Sequence, residues 1–238
     1  MAYSHGRIAM NRLQTELRRL YLCPSDGDGT WTDATGRVRA AVVELVAPVD
    51  ATLLGAVWAG VQNELALPAP AIVLSGRDGL QLWFSLQQPV EAASARALAE
   101  GLCRRWLDEL PPARRRCWPA PEAAPPALPG SELGAERWAA LVSPDLAPLF
   151  TETPWLELPP GDDAQASLLA PLRPITPDEL AATLPQLAPP DTAAAAAAPE
   201  PRTAPEREAE RFLLAVMRDA AAPLAQRIEA AKALLRRS

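Results

Sequence analysis

The 238-residue sequence holds one histidine, His5, and three cysteines, Cys23, Cys103 and Cys117. No two cysteines stand in C-x-x-C spacing, so the usual zinc sites lack ligands and no metal site is expected. The same scarcity argues against Ser-His and Cys-His nucleophiles, because the sole imidazole lies close to the N-terminus. Three scattered thiols read as buried and reduced, as in a cytoplasmic protein. Long apolar runs are also missing. Nowhere do 18 uncharged apolar residues follow one another, so no membrane-spanning helix and no membrane partner are expected. No basic stretch followed by an apolar core succeeds Met1, so a secretory signal is not expected either. Excess positive charge is absent: the formal net charge is −6. That disfavours a broad nucleic-acid-binding surface and leaves room for a local basic patch. Lys232 is the only lysine against 22 arginines, so an arginine here is weak evidence of bidentate recognition.

What remains is the composition of a globular protein, 49% apolar and 22% charged. Residues 8–22 read as a helix, with Ile8, Leu13, Leu17 and Leu20 at roughly helical spacing and Pro24 as the stop. The turn-forming run Ser25-Asp26-Gly27-Asp28-Gly29 follows. Residues 37–46 are strand-like through Val38, Val42, Val43 and Val46. Asp50 is placed to cap a helix reaching Leu65. Residues 71–74 and 80–86 read as two strands joined by the turn Ser75-Gly76-Arg77-Asp78-Gly79, a β-hairpin. A helix over residues 91–110 carries Leu98, Leu102, Trp106 and Leu107 on its apolar face. Helix, strand, helix, hairpin, helix is an α+β class, a layered domain.

Residues 111–160 are proline-rich yet hold Trp118, Trp138, Phe150 and Trp155. Disordered chains are poor in aromatics, so this irregular stretch is expected to pack on the first half, with short helices over 133–142 and 163–172. The domain is expected to occupy residues 1–180. Residues 181–205, with the run Ala193 to Ala198 between prolines, read as a flexible linker. Residues 206–217 and 223–235 read as two amphipathic helices, a small C-terminal helical hairpin over 206–238. Thirty residues bury little core alone, so the hairpin is expected to dock on another surface.

The run Ser75-Gly76-Arg77-Asp78-Gly79-Leu80-Gln81-Leu82-Trp83 resembles the second motif of the archaeo-eukaryotic primase superfamily. That motif reads Ser-Gly, two variable residues, Gly, an apolar residue and His. The resemblance implies a strand-helix-strand-turn-strand-helix setting over residues 37–110, under a third of the chain. It also implies that Ser75, Gly76, Arg77, Gly79 and Gln81 make nucleotide or backbone contacts. Two departures stand out. Gln81 occupies the position of the motif's histidine and brings no positive charge. The first strand lacks the family's D-x-D pair and carries only Glu44, whereas two-metal phosphoryl transfer needs several carboxylates. The resemblance therefore implies a catalytically degenerate copy, with no catalytic residues and no cofactor. The alternative is an ordinary glycine-containing hairpin loop.

Arg114, Arg115 and Arg116 form the densest basic cluster, near Trp106 and Trp118. Arginine beside aromatics suits phosphate neutralisation and base stacking on single strands. The plainer alternative is a solvated basic helix end complementing the helix dipole. Asp26 and Asp28 read as a solvated turn, because the later ligands of a calcium loop are missing. Glu157, Asp162 and Asp163 have no histidine or cysteine near them in sequence. No Gly-Lys-Ser/Thr phosphate loop is present. The stretch from Arg211 to Leu234 resembles a helical segment of phage terminase small-subunit-like proteins, which implies assembly contacts with a replication or packaging protein, or DNA-proximal contacts; the alternative is a generic Ala/Leu hairpin. Together the two resemblances imply a non-catalytic accessory protein of DNA replication or processing in a plasmid, phage or other mobile element, contacting single-stranded or primed DNA. A protein-interaction scaffold with no nucleic-acid role is the alternative, favoured by the acidic charge.

Overall fold

A computed structural model describes residues 11–25 and 29–189. His5, the Asp26-Gly27-Asp28 turn, and the stretch from residue 190 onward that carries most of the expected linker and the whole C-terminal hairpin lie outside the described residues. Helix α1 (Arg12–Leu20) opens on a capping box. The Asn11 side chain accepts from the Gln14 amide at 2.7 Å, and the Gln14 side chain accepts from the Asn11 amide at 3.2 Å. Strand β1 (Val38–Val46) leads to helix α2 (Ala51–Asn63), which Asp50 caps through the Thr52 amide at 2.7 Å. Strands β2 (Ala71–Leu74) and β3 (Gly79–Val90) form the hairpin, and helix α3 (Ala92–Trp106) follows. Then come strands β4 (Arg115–Trp118) and β5 (Ala140–Val142) and helices α4 (Asp162–Leu169) and α5 (Pro177–Leu187).

The five strands make one sheet in the order β4-β1-β3-β2-β5, with every neighbouring pair antiparallel. The class is α+β. The succession β1-α2-β2-β3-α3-β4 in this spatial order is the split β-α-β arrangement of ferredoxin-like folds, extended by β5 at one edge.

Cross-strand partners share a face of the sheet. Cys117, Val43, Leu82, Ile72 and Val142 stand in one row on the face that carries α3, which in turn packs on α2 and α5. Trp118, Val42 and Trp83 stand in a row on the opposite face. There Trp83 is fully buried and meets Tyr21 and Trp31 edge-on, each at 5.1 Å between centroids. Trp31 continues the chain of rings to Trp118 at 5.0 Å. The sheet is thus covered on both sides, which is why β3 is buried from Gly79 to Leu86 without a solvent-facing residue.

The structure corrects three expectations. Residues 133–142 are not a helix. Leu133 and Arg137 close a tight turn containing Glu136 at φ +58°, and Ala140–Val142 then joins the free edge of β2 as β5. A four-residue apolar run does not reveal its period, and the open edge decided it. The buried side-chain amide of Gln165 in α4 binds both backbone groups of Leu141, accepting at 2.6 Å and donating at 3.1 Å, so the outer edge of β5 is closed. Residues 115–118, within the stretch expected to be irregular, form edge strand β4. The boundary expected at residue 180 falls inside α5. Thr176 and Glu179 form a capping box with Pro177 in the first turn, and the helix packs on α3 as far as Leu187.

Candidate functional site

The hairpin turn is built by Ser75. Its amide donates to the Gly79 carbonyl at 2.9 Å, and its Oγ accepts from the amides of Arg77 at 3.1 Å and Gly79 at 2.9 Å. The Gly76 amide donates to the Pro154 carbonyl at 3.1 Å. Gly76 lies at φ +73°, and a Cβ there would come within 2.8 Å of Leu133 and 2.9 Å of the Ala139 backbone nitrogen. A Cβ on Gly79 would lie 2.6 Å from the Glu44 carboxylate. The Ser-Gly-x-x-Gly pattern therefore serves turn geometry and close packing, and the amides of Gly76, Arg77 and Gly79 all have protein acceptors.

Beside the turn a polar row crosses the sheet. Arg116 on β4 is paired with Glu44 on β1, and Glu44 with Gln81 on β3. Gln81 is buried. Its Oε1 accepts the Trp83 indole N–H at 2.8 Å, and its Nε2 donates to Glu44 Oε1 at 3.4 Å. Arg116 forms a bidentate pair with Asp78, at 2.9 and 2.8 Å, and its Nη1 lies 3.5 Å from Glu44 Oε2. One guanidinium thus lies between two carboxylates that come from different elements. The hydrogen bonds from Arg116 hold the Asp78 carboxyl below its ordinary range and push the Arg116 guanidinium up. Burial raises Glu44 against the opposing pull of Arg116. A hollow of about 110 Å³ opens here, lined among others by Glu44, Gln81, Arg116 and Trp118. Among the described residues no three histidine, cysteine or acidic side chains gather to hold a metal ion.

The raised Glu44 has a consequence for stability. A carboxyl whose folded pKa exceeds its unfolded one stabilises the fold fully below the unfolded value and loses that contribution as pH rises through the folded value. Glu44→Gln should therefore gain stability at pH 7 relative to wild type. It should also flatten the decline in stability that begins near the ordinary value of 4.5 and ends at the raised one. Urea unfolding of both proteins from pH 4 to 8 checks this, and parallel curves would refute it.

The three consecutive arginines part company. Arg114 donates through Nε to the Val46 carbonyl at 3.2 Å and through Nη2 to the Pro48 carbonyl. Arg115 donates to the carbonyls of Cys103, at 3.3 Å, and Leu107 at the end of α3. Only Arg116 reaches the turn. The structure brings Ser75, Gly76, Arg77, Gly79, Gln81 and Arg116 together and leaves Arg114 and Arg115 outside that group. Asp162 is also structural, accepting from Asn11 Nδ2 at 2.7 Å.

Arg77 projects exposed from the turn into a cavity of about 500 Å³, which it lines together with Gly76, Asp78, Leu133, Gly134, Ala135 and Arg137. Neither Arg77 nor Arg137 makes a side-chain hydrogen bond or ion pair among the described residues, although the charge of Arg77 adds slightly to the lowering of neighbouring Asp78. Arg137 stacks over Trp155, its guanidinium carbon 4.2 Å from the ring centroid. Asp78, Arg137 and Trp155 belong to this surface without a motif to mark them. Their only signals are the acidic residue inside the glycine turn and an aromatic in a proline-rich stretch. No protein-family model matches the chain, and comparison with curated proteins finds no similar one. No helix among the described residues is long and apolar enough to cross a membrane.

Proposed function

We propose that the chain is a non-catalytic accessory protein of DNA replication or processing that binds single-stranded or primed DNA at the β2–β3 turn. The observation that carries this reading is that Arg77 and Arg137, which make no side-chain hydrogen bond or ion pair among the described residues, line one cavity, with Arg137 stacked on Trp155. Free guanidiniums suit phosphate oxygens, and an indole beside them suits an unstacked base. The non-catalytic part rests on the polar row. Where two-metal chemistry would need carboxylates free to hold cations, Arg116 already bridges Asp78 and Glu44, and Gln81 is anchored on Trp83. Assignment to a mobile element rests on the two sequence resemblances.

Anisotropy titration of a labelled single-stranded oligonucleotide at two salt concentrations tests the reading. Arg77→Ala/Arg137→Ala should weaken binding about tenfold and flatten the salt dependence by about 1.4 in log–log slope, as two lost phosphate contacts would. Trp155→Ala should weaken single-strand binding about tenfold and leave duplex binding alone. Replacing Arg114 and Arg115 is the poorer test, because both guanidiniums tie backbone carbonyls together. Absence of salt-sensitive binding by wild type at micromolar protein would overturn the proposal. It would favour the scaffold reading, to which exposed Leu149 and Leu158 and the hollow lined by Phe150, Trp155 and Leu156 lend a surface.

A further inference from the structure

Cys103 near the end of α3 and Cys117 on edge strand β4 are free thiols with their sulfurs 3.3 Å apart. Closing them to a bond requires an approach of about 1.2 Å, since a disulfide is about 2.05 Å long. The two elements already pack on each other, and Arg115, two residues before Cys117, donates to the Cys103 carbonyl. We propose that Cys103 and Cys117 are a redox-modification site, converted by a hydroperoxide oxidant into an intramolecular disulfide that ties α3 to β4.

The two thiols are not equivalent. Cys103 is buried and Cys117 half-buried. The two sulfurs share a hydrogen bond in which either can donate; with Cys103 as the donor, Cys103 is raised and Cys117 lowered. Arg115 and Arg104 add to the lowering at Cys117, whereas burial and Glu100 oppose it. Cys117, the more exposed of the two, is the one an oxidant can reach and is the attacking thiolate. Its sulfur forms a bond to one peroxide oxygen as the O–O bond breaks, leaving a sulfenic acid and hydroxide. The Cys103 sulfur then attacks the Cys117 sulfur. The S–S bond forms and the S–O bond breaks, and the second oxygen leaves as water with the thiol proton. The two thiols lose two electrons and the peroxide ends as two waters, or as water and an alcohol. Cys23 is placed for no such reaction. Its sulfur lies buried against the carbonyls of Trp31 and Arg37.

The crosslink would form beside Arg116, the residue that bridges Asp78 and Glu44, and would pin an edge strand that otherwise pairs only with β1. The test is intact-mass analysis of the full chain after exposure to hydrogen peroxide. The expected product is two hydrogens lighter, maps to a peptide joining Cys103 to Cys117, and reverts with dithiothreitol. It should melt about 9 °C higher than the reduced protein, as closing a loop of this length predicts. Cys23→Ser should behave as wild type. Cys103→Ser should stop at a sulfenic acid on Cys117 that a dimedone probe captures. Sulfinic acid accumulating on Cys117 of the wild-type protein while Cys103 stays reduced would overturn the proposal. So would a disulfide that forms only between chains. The wild-type mass alone decides, so a variant that folds poorly does not blunt the test.

Discussion

Trp83→Ala should lower the free energy of unfolding by about 4 kcal/mol, within the range for a large aromatic removed from a core, and lower the melting temperature by roughly 12 °C. Trp83 lies in the middle of β3, paired with Val42 on one side and Ala71 on the other, and no part of it meets solvent. Its ring is the one that both Tyr21 and Trp31 approach edge-on. Truncation leaves a void flanked by rigid aromatics, which are slow to collapse into it. It also removes the donor to Gln81 Oε1. Trp83→Phe separates the two effects. The phenyl ring keeps much of the packing, while the buried Gln81 oxygen loses its indole partner, at a cost of about 1–2 kcal/mol. Freed from Trp83, the Gln81 amide would be able to turn, so the phenylalanine variant also asks whether the polar row needs Gln81 in its present orientation. Urea denaturation followed by far-UV circular dichroism measures both variants. A loss under about 1 kcal/mol for the alanine variant would mean that the Tyr21–Trp31 layer does not pack on the sheet as described.

The elements that the sequence announces are those with local signals. Asp50 ahead of an apolar-periodic run marked α2, and a short apolar run before Ser75–Gly79 with alternation after it marked the hairpin; both stand in the structure. Strands β4 and β5 carry no such signal. Each is three or four residues long and owes its conformation to a sheet edge far away in the chain. The candidate site divides in the same way. Gly76 was legible as a turn residue, because a left-handed φ is a local property. The engagement of the turn's amides by Ser75 and Pro154 was not. The arginine triplet shows why. Successive residues of a strand point to opposite faces, so Arg115 turns to the end of α3 while Arg116 turns to Asp78, 38 positions away. Three like charges adjacent in sequence are not one patch in space. Spatial neighbours such as Arg77 and Arg137 had no reason to be read together.

Arg39 makes the same point with a larger effect on stability, and nothing in its sequence context distinguishes it from other strand arginines. It stands where β1 and β3 slip register: Val38 pairs with Val90, but Ala40 pairs with Ser85. Between those points Gln87 leaves the ladder and donates to Ile175 instead. The carbonyls left over at this irregularity and at the end of α1 converge on the Arg39 guanidinium. It donates to Leu86 and Gln87 from one element and to Arg18, Arg19 and Leu22 from the other, at 2.9 to 3.4 Å. Helix ends leave carbonyls unpaired as a matter of geometry, and here one side chain serves both a helix end and a strand irregularity. Arg39→Met, which keeps the aliphatic stem, should lower stability by about 3 kcal/mol, because several partly buried carbonyls lose a charged donor at once. Arg39→Lys should recover less than half of that. An ammonium on a flexible stem lacks the planar fork that reaches both elements together. The end of α1 carries Tyr21 onto Trp83, so near-UV circular dichroism should change in the methionine variant even where the far-UV spectrum does not. Equal stability of the lysine and arginine proteins in urea would show that charge alone, without the fork, holds α1 against the sheet.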